Sequence, residues 1–331
     1  MNTFDDLEPL IGNTPLLEIT FDYKGERRRI FAKAEYYNYS GSIKDRVAFH
    51  MLKKAYENGT IKRGDTIAEA TSGNTGIAFS AMGRALGNKV VIYMPDWMTK
   101  ERISLMESFG ADVRLVSAEE GGFLGSIEKC EKLGMEEGVF LPRQFSNDDN
   151  TETHYLYTGK EIAEQMEKLG RRIDGAVAGV GTGGTVMGIG RRVREVNPKA
   201  KIFPLEPANS PTLSTGYRTG KHRIYGISDE FIPDIVKLDK LDDVVSVDDG
   251  DSIVMAQMLS RTFGLGVGVS SGANMLGCIA AQNKLGGDAN IVTVFADDNK
   301  KYLSSDYSKE QTIGDDYMTK DIDLISLRAV R

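Results

Sequence analysis

Cysteine is scarce in this chain, and the scarcity excludes two classes of protein at once. Cys130 and Cys278 lie far apart and form no CxxC pair, so neither a disulfide framework nor a zinc site is expected, and no metal is assigned. Both are expected to be small buried or half-buried side chains. No apolar run is long enough to cross a bilayer, which excludes a membrane span. Basic charge is not in excess either: 41 Lys and Arg stand against 48 Asp and Glu, a net charge of −7. Nucleic-acid binding needs clustered cationic surface, so that class is set aside. The basic cluster Lys24 to Arg29, KGERRR, is expected to be a solvated turn between two strands. The N-terminus has no basic start and no long apolar stretch, but carries Asp5, Asp6 and Glu8, so a cytoplasmic location is expected. There is no internal repeat and no low-complexity segment.

What is present is a regular alternation over 331 residues, a length that favours two packed lobes, with a single large α/β domain as the competing possibility. Apolar runs of strand length occur at Thr66–Glu69, Val90–Met94, Val113–Val116, Ala176–Val180, Lys201–Leu205, Val244–Val247 and Ile291–Phe295. Near-continuous Val, Ile and Ala runs separated by amphipathic stretches mark strands buried on both faces, which places the chain in the α/β class. The intervening helices are predicted at Ile43–Asn58, Asn74–Leu86, Lys100–Phe109, Ser126–Leu133, Thr153–Leu169, Gly184–Val196, Ser252–Phe263 and Ala273–Lys284. Ser42 with Asp45 three residues on has the form of a capping box. From Asp297 onward the alternation fades into polar sequence, and residues 305–331 are expected to form a polar C-terminal tail.

Four constellations sit where a strand or loop gives way to a helix, the place where open α/β sheets bind ligands. In Ser40-Gly41-Ser42-Ile43-Lys44-Asp45-Arg46, Lys44 falls in the first turn of a helix, where the dipole and Arg46 bias it toward the neutral amine that imine chemistry requires. Glu69-Ala70-Thr71-Ser72-Gly73-Asn74-Thr75-Gly76 offers hydroxyls and backbone N–H groups to a carboxylate or a phosphate; a plain capped turn reads the same residues equally well. Gly179-Val180-Gly181-Thr182-Gly183-Gly184-Thr185 lets the backbone approach a phosphate closely. It also satisfies G-x-G-x-x-G at Gly179, Gly181 and Gly184, with Glu206 on the next strand, so a nicotinamide-dependent oxidoreductase is a rival reading. Gly268-Val269-Ser270-Ser271-Gly272 has the form of a hydrolase nucleophile elbow, but none of His50, His154 and His222 follows the serine, and that reading falls.

In their order and spacing, from Ile11-Gly12-Asn13-Thr14-Pro15-Leu16 through Tyr302-Leu303-Ser304, these segments resemble the cysteine synthase and cystathionine β-synthase family of fold-type II pyridoxal-phosphate enzymes. The resemblance implies two lobes, each an open, mostly parallel sheet flanked by helices, as in tryptophan synthase β: a smaller, mobile lobe over 37–141 and a larger cofactor-binding lobe over 1–36 plus 142–304. It implies pyridoxal 5'-phosphate carried on Lys44 as an imine, Asn74 at the cofactor's phenolic oxygen, and Gly181, Thr182, Gly183, Gly184 and Thr185 around its phosphate. It further implies Ser270 facing the pyridine nitrogen, and Thr71, Ser72, Gly73, Thr75 and Gln144 around the substrate carboxylate. A neutral hydroxyl at the ring nitrogen makes the cofactor a restrained electron sink, suited to expelling a β-leaving group. The activity implied is β-replacement or β-elimination on L-serine- or L-cysteine-type amino acids through an α-aminoacrylate, with sulfide entering or leaving Cβ, by a transferase or lyase acting as a homodimer. The partners expected are the amino acid and sulfide or a thiol. The family's haem-binding extension and C-terminal regulatory module have no counterpart here, so regulation by them is not expected.

Two departures bear on the direction of the reaction. Tyr36-Tyr37-Asn38-Tyr39-Ser40 differs from the commoner Asn-Pro-containing lead into the lysine loop. In Tyr225-Gly226-Ile227-Ser228-Asp229-Glu230-Phe231-Ile232-Pro233, an aspartate stands where cysteine synthases carry a small residue and cystathionine β-synthases a tyrosine. As a general base, Asp229 would activate water or a thiol, making the enzyme one that consumes L-cysteine, releases hydrogen sulfide and forms L-serine. A solvent-facing acid beside Glu230 is the alternative reading of the same residue.

Overall fold

The computed structural model describes residues 2–71, 73–228 and 231–331, so Ser72, Asp229 and Glu230 lie outside the described residues. The strands in chain order are β1 (Leu16–Tyr23), β2 (Glu26–Ala34), β3 (Thr66–Ala70), β4 (Lys89–Pro95), β5 (Asp112–Val116), β6 (Val139–Phe140), β7 (Gly175–Gly179), β8 (Lys201–Pro207), β9 (Val245–Val247), β10 (Ile291–Phe295) and β11 (Ile322–Val330). The chain forms two compact units, one of the residues up to Gly12 with Asn38–Asn150, the other of Asn13–Tyr37 with Thr151–Arg331.

The first unit has a parallel sheet ordered β5-β4-β3-β6. Its central strands β3 and β4 are buried as their apolar runs require, whereas the edge strand β5 exposes Arg114 and Leu115, and Val47, Leu52, Ile77, Phe79, Met82 and Ile92 form much of the core. The helix Asn74–Leu86 stops at Gly87, which adopts the left-handed conformation that closes a helix. The helix predicted at Ser126 starts four residues earlier, at Gly122.

The second unit has seven strands ordered β11-β1-β2-β10-β7-β8-β9. Strands β2, β10, β7, β8 and β9 run parallel, while β1 is antiparallel to both β2 and β11. Of KGERRR, only Lys24 and Gly25 make the turn; Glu26 onward is already β2. Where the sequence predicts a polar tail, residues 322–330 form a strand paired with β1 along its length. An edge strand needs apolar residues on one face only, so its diluted pattern does not stand out among the continuous apolar runs of the central strands.

The stretch predicted as one helix, Thr153–Leu169, is three: α-helical turns at Asp149–Thr153, a π-helical turn at His154–Thr158, and the helix Gly159–Lys168. This segment crosses the helix Gly184–Val196 so closely that a Cβ at Gly188 would overlap the Thr151 carbonyl and His154 Cβ. Close passage of two helices is a setting in which a widened turn relieves crowding.

Candidate active site

Each sheet splits at one point, and the glycine-bearing loops lie at the splits. In the second unit, β7 leads to β8 on one side, while β10 lies on its other side, a topological switch point. β10 pairs with β7 only at Ile291↔Gly175 and Val292↔Ala176, after which the strands part. Side chains replace the lost ladder: Thr293 Oγ1 donates to Val177 O at 2.7 Å, and Asn274 accepts from the Gly179 N–H at 2.9 Å while donating to Val294 O at 2.7 Å. Asn274 holds the crevice at a set width and is itself buried.

From this crevice the chain runs through Gly179–Thr185 into the helix Gly184–Val196, whose first turn carries no acidic residue. Gly183 has φ +90° and caps the helix. A Cβ at Gly181 would lie 2.3 Å from the Gly226 carbonyl oxygen, and one at Gly183 would overlap Val236. The loop is therefore clamped against 226–228, and Ser228 donates its N–H to Val180 O at 2.8 Å. Thr185 Oγ1 lies 3.4 Å from His154 Nε2, whose other ring nitrogen is 3.0 Å from Thr158 Oγ1. His154 is a loop-bracing residue that sequence reasoning missed; its only signal is a histidine in an otherwise ordinary helical pattern. Helix-terminal N–H groups, threonine hydroxyls and side-chain-free backbone suit a phosphate dianion.

Ser270, second residue of the helix Val269–Leu285, belongs to the same unit. Its loop is strapped to the end of β10: the Gly268 N–H donates to Asp297 O at 3.0 Å and Asn299 N–H to Gly266 O at 3.0 Å. The Asp297 carboxylate packs on Gly268 and accepts from the Tyr302 hydroxyl. A Cβ at Gly272 would overlap the Ser252 carbonyl, so the second glycine of G-x-S-x-G serves helix packing. Glu206 is spoken for as well: its carboxylate accepts from the Leu213 and Ser214 N–H groups at 2.7 and 3.2 Å, the Ser214 hydroxyl, and Ser246 Oγ at 3.1 Å. It has no capacity left for the ribose hydroxyl that a dinucleotide fold would ask of it.

The first unit repeats the arrangement. β3 pairs with β6 only at Thr66↔Val139 and Ile67↔Phe140, and the split beyond is filled by Glu69 and Gln144. Gln144 donates through Nε2 to Ala70 O at 3.2 Å and accepts from the Thr75 hydroxyl at 2.6 Å. The side chain expected at a substrate carboxylate therefore braces the loop that would hold it. This bracing places 142–150 with the first unit. Thr71 accepts from the Gly73 N–H at 3.2 Å, and Asn74 and Thr75 open the helix Asn74–Leu86. Buried Arg102 packs on Gly73.

Lys44 is the first residue of the helix Lys44–Glu57 and is half-buried. The predicted capping box is altered: Ser42 Oγ accepts from the Lys44 N–H at 3.2 Å, rather than from the N–H of Asp45. Asp45 completes its half, accepting from Ser40 N–H at 2.8 Å, Ser40 Oγ at 2.6 Å and Ser42 N–H at 3.3 Å. The loop before the lysine is thus wrapped on one buried carboxylate.

The parallel sheet of the first unit and the mostly parallel sheet of the second, each with an anion-receptive loop at its switch point, define an α/β protein of the kind that binds ligands at strand ends, and a half-buried lysine opens a helix of the first unit. The family model described as pyridoxal-phosphate dependent enzyme matches residues 7–297, and the chain belongs to that family. It is 39% identical over 298 residues to a probable cysteine synthase of Bacillus subtilis, spanning 90% of this chain and 95% of the relative. Among solved structures, a hydrogen sulfide-producing enzyme from Fusobacterium nucleatum is 63% identical, with 99% of this chain and 98% of that one covered and a TM-score of 0.97. A structure of an aspartate-to-asparagine mutant of a hydrogen sulfide-producing enzyme, complexed with an α-aminoacrylate intermediate, is likewise 63% identical, covering 98% of each chain with a TM-score of 0.96. The cysteine synthase of Entamoeba histolytica is 35% identical, with 95% of this chain and 93% of that one covered and a TM-score of 0.84. The protein is accordingly a pyridoxal-phosphate-dependent enzyme. No helix among the described residues is long and apolar enough to cross a membrane.

Proposed function

We propose that the protein converts L-cysteine and water to L-serine and hydrogen sulfide. The observation that carries this reading is the 63% identity, over nearly the whole chain, to a hydrogen sulfide-producing enzyme, against 35–39% to cysteine synthases. Pyridoxal phosphate supplies electron withdrawal from Cα, which makes the Cα proton and the Cβ substituent removable.

The chain's own residues supply the rest. Lys44 tethers the cofactor and moves the Cα proton on its amine nitrogen. The residues that would hold it are Gly181, Thr182, Gly183, Gly184 and Thr185 at the phosphate, Asn74 at the phenolic oxygen and Ser270 at the ring nitrogen. Thr71, Ser72, Gly73 and Thr75 take the substrate carboxylate at a helix N-terminus, with Gln144 bracing Thr75. Asp229 takes a proton from the water that adds at Cβ. Support for Asp229 comes from the trapping of an α-aminoacrylate in an aspartate-to-asparagine variant of a 63% identical relative, the behaviour expected when water is no longer activated. A homodimer in the cytoplasm is the assembly and location proposed with it, as expected from the sequence; sedimentation at the 36.3 kDa of one chain would refute the dimer.

The test is to give the purified holoenzyme L-cysteine alone and measure hydrosulfide and L-serine together. Equal amounts of both are expected. Asp229→Asn should lose turnover yet keep the visible band of the lysine-bound cofactor. Cysteine formation from O-acetyl-L-serine and sulfide, with no hydrosulfide from cysteine, would instead make the enzyme a cysteine synthase.

A further inference from the structure

Beneath the Thr71–Thr75 loop lies a carboxylic acid to which the reaction above assigns nothing. Glu69, the fourth residue of β3, is buried in the gap where β3 and β6 part. Its Oε1 accepts from the Ala70 N–H at 3.0 Å and its Oε2 from the Gln144 N–H at 3.3 Å. The Gln144 side chain returns to the same strand at Ala70 O and reaches on to Thr75, while Gln144 O accepts from Asn150 Nδ2 at 2.9 Å. One closed ring of hydrogen bonds thus joins the end of β3, the start of the helix Asn74–Leu86 and the segment after β6.

The segment after β6 is shaped to meet it. Arg143, the residue before Gln144, has φ +53°, a left-handed conformation that a side chain adopts at a cost. Its guanidinium is held by Glu131 at 2.9 and 2.8 Å, and its carbonyl accepts from the Ser146 and Asn147 N–H groups. This backbone turn presents the Gln144 N–H to Glu69.

We propose that Glu69 is a positioning residue for amino-acid substrate binding, holding Gln144 and through it Thr75 in the geometry that grips the substrate carboxylate. The proposal rests on the reading of the Thr71–Thr75 loop given above. Burial pushes the Glu69 carboxyl up to about 8, against the pull of N–H donors from Gln144, Ala70 and Arg143. The charged or titratable groups that face it are Glu131, Arg143 and Cys130. Below that pH the acid is neutral and the ring closes without a buried charge. Above it, an unhydrated carboxylate lies under the loop, relieved only by admitting water. A folded-state pKa raised above the ordinary 4.5 means that stability falls as pH rises from there through about 8.

The experiment compares wild type, Glu69→Ala and Glu69→Gln as holoenzymes, with L-cysteine as substrate. Glu69→Ala should raise KM about tenfold while kcat changes less than about threefold, and Glu69→Gln, which keeps volume and one acceptor, should stay within about threefold of wild type. Hydrogen exchange at the Gln144 amide and across 71–75 should quicken in Glu69→Ala and not in Glu69→Gln. Equal KM in wild type and Glu69→Ala, or equal damage in both variants, overturns the proposal. Should Glu69→Ala not fold, wild type and Glu69→Gln decide it alone: KM should climb above about pH 8 in wild type and more shallowly in Glu69→Gln, and parallel profiles overturn it. Wild type that releases no hydrosulfide sinks the functional reading and this one with it; normal release with an indifferent Glu69 sinks only this one.

Discussion

Gly181→Ala tests the phosphate loop with the smallest possible change. The added Cβ would lie 2.3 Å from the Gly226 oxygen and 3.3 Å from the Gly226 carbonyl carbon. An ordinary carbon–oxygen contact needs about 3.3 Å, so the two backbones must part by about 1 Å. Neither can yield freely. Ser228 ties that segment to Val180 O at 2.8 Å, and a methyl of Ile227 already lies close to Gly179. Overpacking of this kind costs about 1–3 kcal/mol. If the strain falls on the conformation that binds phosphate, pyridoxal-phosphate affinity drops by roughly 10- to 100-fold, at about 1.4 kcal/mol per decade. The assay is titration of apoprotein with cofactor, followed by the visible band, alongside thermal melts with and without cofactor. Gly170→Ala is the control: its φ is +63° with nothing within 4 Å of the new methyl, so it should lower the melting temperature slightly and leave cofactor affinity alone. Wild-type affinity in Gly181→Ala would show that this loop does not hold the phosphate.

Asn274→Ala removes the side chain that bridges Gly179 and Val294, leaving a part-buried N–H and a buried C=O without it; loss at the buried carbonyl costs about 1–3 kcal/mol and at the N–H less. Both stability and cofactor affinity should fall, and calorimetry showing a wild-type melting temperature would remove the staple from the account. A chain ended after Asp321 loses β11 and leaves β1, with Leu16, Ile19 and Phe21 fully buried, as a bare sheet edge. Such edges pair with other chains. The truncated protein should aggregate on expression, and a soluble product with wild-type melting would count against the strand's structural role.

Much of this architecture is legible in the residues themselves. The runs at Val90–Met94 and Ile291–Phe295 read as buried strands because both of their faces are covered, so every residue carries the signal. Helix starts at Asn74 and Gly184 follow directly from the loops that precede them. Lys44 at the head of a helix, and glycine-dense backbone at the end of a strand, are local facts that need no neighbour to be recognised. By themselves these features determined the α/β class and the order of the loops, while the cofactor type followed from the family resemblance that this order carries.

Only the tertiary structure decided where each sheet parts and what fills the gap, because those partners are remote in sequence. Asn274 reaches Gly179 and Val294 across the end of a third element, and Glu69 finds Gln144 across 75 positions of chain. Distance likewise hid the pairing of β11 with β1, whereas the use of Glu206 as a cap on Leu213, seven residues on, was hidden by the turn that brings the chain back to it. Propensity and periodicity record whether a residue is buried; which group will meet it there is settled by packing.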